Sequence, residues 1–275
     1  MKLRRTATLV TSFLAAAALT FTGAGAAAAA DTQAAGGYVA LGDSYSSGVG
    51  AGSYDSGSGD CRRTPKAYPA LWGRRQLARQ FRLRGLLGAK TGDVLANQLG
   101  PLNSSTGLVS LTIGGNDAGF ADVMTTCVLK SEATCVARVN EAKAFVESSL
   151  PAKLDSVYSQ IRSKAPSANV VVLGYPRFYK LNGSCVAGLT EGERTGHQRR
   201  RRPPSLRHLQ ACRRPRLRLR GHRRRLQPAT RSAPATSWLH SVKWTGINDS
   251  YHPTAAGQSG GYLPVLNSPG LTRHA

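Results

Sequence analysis

Tyr38-Val39-Ala40-Leu41-Gly42-Asp43-Ser44-Tyr45-Ser46-Ser47-Gly48 runs from a short apolar stretch straight into a turn built of residues that cap helices. Tyr38 to Leu41 reads as a buried strand, and the Gly42-Asp43-Ser44 turn as the entry to a helix. A strand, a tight turn and a helix in that order present a side chain at the carboxyl end of the strand. Leu108 to Ile113 repeats the arrangement as a second strand ending in Gly114-Gly115-Asn116-Asp117. Within Val136 to Lys164, Val139, Ala142, Val146 and Leu150, then Leu154, Val157, Tyr158 and Ile161, recur at helical spacing, with Pro151 where a second helix begins. Asn169-Val170-Val171-Val172-Leu173-Gly174 is β-branched without alternation, which fits a strand covered on both faces in a parallel sheet. Strands alternating with helices give an α/β layered fold, whose site lies beyond the carboxyl ends of the strands, where Ser44 and Asn116 fall.

The chain has 275 residues, 41% hydrophobic, and carries 37 Lys+Arg against 14 Asp+Glu for a net charge of +23. That length supports one sizeable core or two small ones and excludes both pure disorder and a small disulfide knot. A field of this size ordinarily points to polyanions, but its distribution argues otherwise. Lys2, Arg4 and Arg5, the Arg residues of 73–86, and the fourteen Arg of 196–236 account for 22 of the basic residues, and no acid lies among them. The remainder, 15 basic against 14 acidic residues, is close to neutral.

Residues 1–30 read as a signal peptide, with a basic start, an apolar run over Thr8 to Leu19 and small residues over Gly23 to Ala30. The Arg4-Arg5 pair admits a twin-arginine route. The mature chain then begins near Asp31 as a secreted, extracellular single domain over 31–275, without stable membrane insertion. In an oxidising compartment the five cysteines should pair, and the odd count leaves one over. Cys127 and Cys135 are close enough to staple one excursion; Cys61, Cys185 and Cys212 remain. No Cys/His cluster has zinc spacing, so neither a metal nor a cofactor is expected.

The chemistry gathers on four short elements. Ser44, at a strand end, can act as a nucleophile if a base takes its proton, and His252 in Asp249-Ser250-Tyr251-His252-Pro253 has the pKa range for that work. Asp249 could hold the imidazole tautomer. The Ser44 and Gly88 N–H groups and the Asn116 amide can donate to the oxyanion of an acyl tetrahedral intermediate. A competing serine, Ser259 in Gly257-Gln258-Ser259-Gly260-Gly261, matches a nucleophile-elbow pattern, but no strand precedes it, and it reads as a helix or turn.

Gly-Asp-Ser-Tyr-Ser-Ser-Gly at 42–48, Gly-Ala-Lys-Thr-Gly-Asp at 88–93, Ile-Gly-Gly-Asn-Asp at 113–117 and the tail Ser-Trp-Leu-His-Ser…Ser-Tyr-His-Pro-Thr-Ala-Ala-Gly-Gln resemble the SGNH hydrolases of the GDSL lipase/esterase group, in their secreted actinobacterial branch. The resemblance implies a three-layer α/β/α sandwich with a short parallel sheet and metal-free ester hydrolysis through an acyl-enzyme. It implies Ser44 as nucleophile, Gly88 and Asn116 in the oxyanion hole and His252 as base. In some members of the branch an upstream main-chain carbonyl takes the acid's place, so either that carbonyl or Asp249 would serve here. The implied substrate is a lipid or other small acyl ester, with a carbohydrate acetylesterase or lysophospholipase activity as the runner-up, and a monomer is expected.

The resemblance breaks in the arginine-rich words. At 73–87 and 196–236 the branch would carry core-forming sequence and cysteines to pair with Cys61 and Cys185. This chain has acid-free Arg/Pro/Leu text, and family-like sequence resumes at Gly88 and near Ser237. Taken at face value 196–236 is a disordered cationic loop unable to sustain a core-facing helix or strand. Compensated frameshifts in a GC-rich gene would write such text, and they would also explain the odd cysteine and remove the case for nucleic-acid binding. Two alternatives follow: a cationic secreted protein that binds anionic polymer or membrane, or an inactive, frameshift-damaged family member.

Overall fold

Strand residues of opposite parity face opposite sides of a sheet, and here both sides are covered. The computed structural model describes residues 36–76, 78, 80–176, 217–219 and 237–268. Its sheet contains β1 (Gly37–Gly42), β2 (Phe81–Leu83), β3 (Thr106–Thr112), β4 (Asn169–Val172) and β5 (Leu217–Leu219). They stand in the order β2-β1-β3-β4-β5, and every neighbouring pair is parallel. Val39, Leu41, Val109, Leu111 and Val170 pack on one side with Val157, Tyr158 and Ile161, which belong to a helix over Leu150–Lys164. Tyr38, Ala40, Leu108 and Val171 pack on the other side with Tyr68, Trp72, Tyr262 and Leu263. This is the α/β/α sandwich expected, and the two-sided cover is why the strand at 169–172 lacks alternation.

The helices follow local signals. The stretches are α1 (Ser44–Ser47), α2 (Tyr68–Arg75), α3 (Thr91–Asp93), α4 (Phe120–Leu129), α5 (Glu132–Ser148), α6 (Leu150–Lys164) and α7 (Leu263–Leu266). Ser131 caps α5 by accepting from the Thr134 N–H, and Pro151 sits in the first turn of α6, where its missing donor costs nothing. The segment around Ser259 is helical over Gly257–Tyr262, and Ser259 is exposed there. The residues singled out at 257–261 therefore form no elbow.

From β1 the chain crosses to β2 on one side and then returns to β3 on the other. The carboxyl ends of β1 and β3 thus border the switch point, the crevice where such sheets place their sites.

The arginine-rich words contribute more backbone than expected. The word at 73–87 holds the end of α2 and all of β2, which pairs Tyr38 with Phe81 and Ala40 with Leu83. Within 196–236, where no core-facing strand was expected, Leu217–Leu219 pairs with Val170–Val172. The correction has a simple reason: an edge strand needs a ladder partner on one side only, so three extended residues suffice. The signal-peptide expectation at 1–30 and the residues Cys185 and Cys212 lie outside the described residues. Cys61 is described, is partly buried and forms no disulfide.

The disulfide between Cys127 and Cys135 is present. It joins α4 to α5 inside a small cluster with Val123 and Val139. Closing a loop of sequence separation 8 restricts the unfolded chain, so the double variant Cys127→Ser/Cys135→Ser should lose about 2–3 kcal/mol of stability. Urea denaturation of both proteins under non-reducing conditions measures the difference.

Candidate active site

A side chain works as a nucleophile only if the backbone beneath it is fixed, and the turn after β1 is fixed from three directions. Gly42 has φ +119, and a Cβ there would lie 2.2 Å from the Thr112 carbonyl oxygen, so only glycine lets β1 and β3 end this close together. Its N–H donates to Gln98 Oε1 at 2.7 Å and its carbonyl accepts from Gln98 Nε2 at 2.9 Å. Asp43 caps α1 by accepting from the Tyr45 N–H at 3.0 Å and also accepts from Thr112 Oγ1 at 2.7 Å. Its second oxygen accepts from the Tyr175 hydroxyl, which in turn accepts from the Gly115 N–H at 3.2 Å. Burial pushes the Asp43 carboxyl up to about 6, against the opposing pull of those hydrogen bonds.

Ser44 follows, nearly buried at the start of α1. Its Oγ lies 2.7 Å from His252 Nε2, across 208 residues of sequence. The loop that brings the histidine there is held by contacts on either side of it. Tyr251 adopts φ +64, a conformation unusual for a bulky residue that persists only where the surroundings impose it. Its carbonyl accepts from the Tyr45 hydroxyl at 2.7 Å, and its N–H donates to the His240 carbonyl at 3.2 Å. The His240 N–H donates to the His252 carbonyl at 3.0 Å, while His240 Nε2 sits 2.7 Å from the Gly50 carbonyl. Gly50 has φ +90, and a Cβ there would stand 2.9 Å from His252 Cβ and 2.7 Å from the Pro253 carbonyl. Gln258, fully buried, donates to the Tyr45 carbonyl and accepts from the Tyr68 N–H.

Burial lowers the His252 pKa to about 4, with Asp249 and the Ser250 and Asn248 carbonyls pulling the other way. The imidazole is therefore neutral at pH 7 and able to accept a proton. With Nε2 facing Ser44, Nδ1 is left buried without a partner at hydrogen-bonding geometry. The Ser250 and Asn248 carbonyls are close enough to act on it electrostatically.

The second pair of motifs also meets. Asn116 Nδ2 donates to the Ala89 carbonyl at 2.9 Å, and Asp117 accepts from the Thr91 N–H at 3.0 Å and from Thr91 Oγ1 at 2.5 Å. These bonds tie the turn after β3 to the loop that starts at Gly88, which has φ +77. Ser44 with His252, and Asn116 with the Gly88 loop, thus lie at the ends of the neighbouring strands β1 and β3.

Asp249 is directed elsewhere. Its carboxylate oxygens accept from Tyr54 Oη at 3.1 Å, Arg62 Nη2 at 3.1 Å and Lys243 Nζ at 3.0 Å, and none of these carboxylate hydrogen bonds goes to the His252 ring. Burial pushes this carboxyl up, but Lys243, Tyr54 and Arg62 outweigh it and hold it below its ordinary value. Arg62 also lies over the Tyr54 ring, 4.3 Å from its centroid, and the Tyr54 hydroxyl accepts from the Gly50 N–H at 2.9 Å. The expectation that Asp249 holds the imidazole tautomer departs from this geometry, because the two cations and the tyrosine already occupy the carboxylate. Tyr54, Arg62 and Tyr175 carried no sequence signal of their own, since Asp249 and Asp43, which they meet, lie far away in the chain.

The sequence pattern of the GDSL-like Lipase/Acylhydrolase family matches residues 40–259. Lipase 1 of Streptomyces coelicolor is 54% identical over 262 residues, covering 94% of this chain and 96% of its own. A lipase of Streptomyces rimosus is 51% identical over 272 residues, covering 98% and 99%. Among solved structures, phospholipase A1 from Streptomyces albidoflavus NA297 is similar with a TM-score of 0.75 and 66% identity, over 85% of this chain and 98% of that one. The extracellular lipase of Streptomyces rimosus follows with a TM-score of 0.72 and 50% identity, over 85% and 99%.

The two shifted groups predict an acid response. Between about 6.5 and 4 the unfolded chain protonates the histidine before the folded protein does, which removes stability as pH falls. Between about 6 and 3.8 the folded protein protonates Asp43 first, which adds stability as pH falls. Asp43→Asn should unmask the histidine contribution, so the variant loses stability more steeply than the parent from pH 6.5 to 4. Denaturant midpoints measured across that range check the slope, and an NMR titration should place His252 near 4.

Proposed function

Because this chain belongs to the GDSL-like lipase/acylhydrolase family and is a carboxylic ester hydrolase, we propose that it cleaves lipid acyl esters through an acyl-enzyme on Ser44. The observation that carries this reading is the 2.7 Å approach of Ser44 Oγ to the partly buried His252, whose lowered pKa keeps the imidazole able to take a proton. Ser44 Oγ attacks the ester carbonyl carbon as its proton passes to His252 Nε2, and the imidazolium returns that proton to the departing alcohol. Water then adds to the acyl-enzyme by the same route in reverse, releasing the fatty acid and restoring Ser44. The Ser44 and Gly88 N–H groups and the Asn116 amide receive the oxyanion. The Ser250 and Asn248 carbonyls orient the imidazole and favour its charged form. Asp249 is a positioning residue that fastens Tyr54 and Arg62 to the histidine loop.

Extracellular action fits the Streptomyces rimosus extracellular lipase and the signal-like residues 1–30, and among the described residues no helix is long and apolar enough to cross a membrane. The protein acts as a monomer and without nucleic acid. The arginine-rich words at 73–87 and 196–236 are frame-shifted text, so a chain carrying those stretches in the alternative frame should be more stable and at least as active.

Against a soluble p-nitrophenyl ester, Ser44→Ala should lose at least about 10³-fold in kcat, and Asn116→Ala roughly 10²–10³-fold. Asp249→Asn should keep kcat within about tenfold, raise KM and move the acid limb of kcat/KM to lower pH, because the Asp249 charge raises the His252 pKa. A loss near 10⁴-fold in Asp249→Asn, as for the acid of a working triad, would restore that residue to the catalytic set.

A further inference from the structure

The loop that delivers His252 carries two large apolar side chains that the fold does not use. Among the described residues the exposed large hydrophobics are Leu129, Trp244 and Ile247, and Trp244 is 72% and Ile247 60% exposed. Trp72 is buried and Trp238 partly so, which makes Trp244 the exposed tryptophan of the described chain. Folding gains little from these side chains in water, since their transfer energy stays unrealised until something apolar covers them.

The turn that holds them out is fastened to the site. The Gly246 N–H donates to the Lys243 carbonyl at 3.2 Å and the Asp249 N–H to the Gly246 carbonyl at 2.9 Å. The His252 N–H donates to the Asp249 carbonyl at 3.1 Å. Trp244 and Ile247 therefore stand a few residues from the reacting histidine on one hydrogen-bonded backbone path. The ion-pair cluster beside them is net positive. Lys243 and Arg62 share the single carboxylate of Asp249, which leaves one net positive charge, and both side chains remain partly open to solvent. Tryptophan and isoleucine flanked by lysine and arginine are what a protein presents to the headgroup boundary of an anionic lipid layer, with the apolar groups below the phosphates and the cations level with them.

We propose that the Lys243–Asp249 turn is an interfacial docking element that seats the enzyme on the surface of aggregated anionic lipid, with Trp244 and Ile247 entering the layer beside the site. This rests on the lipid-ester reading of the active site, and the substrate itself then supplies the missing cover. A second copy of the chain is the competing occupant. It lacks the argument from charge, because two like-charged turns would meet face to face.

The test uses the full chain with Ser44→Ala to prevent hydrolysis, and vesicles of phosphatidylglycerol or phosphatidylcholine. With brominated acyl chains, tryptophan emission should be quenched on phosphatidylglycerol vesicles, and Trp244→Ala should abolish the quenching. In about 0.5 M NaCl, where contacts made through the arginine-rich words are screened, Trp244→Ala/Ile247→Ala should bind these vesicles at least about tenfold more weakly than the parent. With Ser44 restored, that double variant should turn over p-nitrophenyl acetate at the parent's kcat/KM. Binding within twofold of the parent, or unchanged quenching, would overturn the proposal. So would a dimer in sedimentation that disappears with Trp244→Ala while vesicle binding persists. Failure of the parent to hydrolyse the soluble ester would instead strike the proposed function, which the vesicle measurement does not address.

Discussion

A carboxylate removed from water must be met by donors, and the donors that meet Asp43 come from separate parts of the chain. The Tyr45 N–H lies in the same helix as Ser44, Thr112 Oγ1 ends β3, and Tyr175 follows β4. Because Tyr175 also accepts from the Gly115 N–H, one buried group fixes the position of the Ser44 turn relative to the Asn116 turn. A hydrogen bond to a charged group, shielded from solvent, is stiff, and an unmade one there costs the full desolvation of its partner. Ser44 needs no direct restraint of its own, since its backbone is already determined.

The histidine is held differently. It belongs to a loop with almost no regular structure, and its restraints are backbone hydrogen bonds and one left-handed tyrosine. Tyr45 reaches from the nucleophile helix to the Tyr251 carbonyl, His240 bridges to Gly50, and Gln258 returns to the Tyr45 carbonyl. Serine and histidine elements thus grip each other through neighbours of Ser44 and His252, and the Ser44 hydroxyl and His252 Nε2 are left to face each other. The Asp249 cluster extends the same grip to the 50–62 loop, using a carboxylate that sequence reasoning had assigned to the imidazole. An acidic residue three positions before a histidine is a sound candidate for its partner, but Arg62 and Lys243 offer full charges where the imidazole is neutral, and the stronger partners win.

The layer architecture was legible because it depends on composition within short windows. The unbroken apolar runs of β1 and 169–172 and the helical spacing across 136–164 each record which faces are covered. The departures came where pairing needs little from the side chains. β2 and β5 arise from arginine-rich text whose apolar alternation, Phe81-Arg82-Leu83 and Leu217-Arg218-Leu219, is only three residues long, yet an extended backbone beside an unfilled ladder is enough to form a strand.

The sequence by itself determined that a strand–turn–helix would display Ser44, that the turns at 88 and 114 would serve the same end of the sheet, that His252 would meet Ser44, and that Cys127 would pair with Cys135. These readings depend on backbone conformations and spacings encoded within a few residues of each other. Only the tertiary structure decided which group faces His252, why Asp43 is buried, and which apolar residues stay in water at Trp244 and Ile247. Those outcomes follow from contacts between segments up to 213 residues apart, and burial, which shifts the Asp43 and His252 pKa values, exists only once the chain has closed on itself.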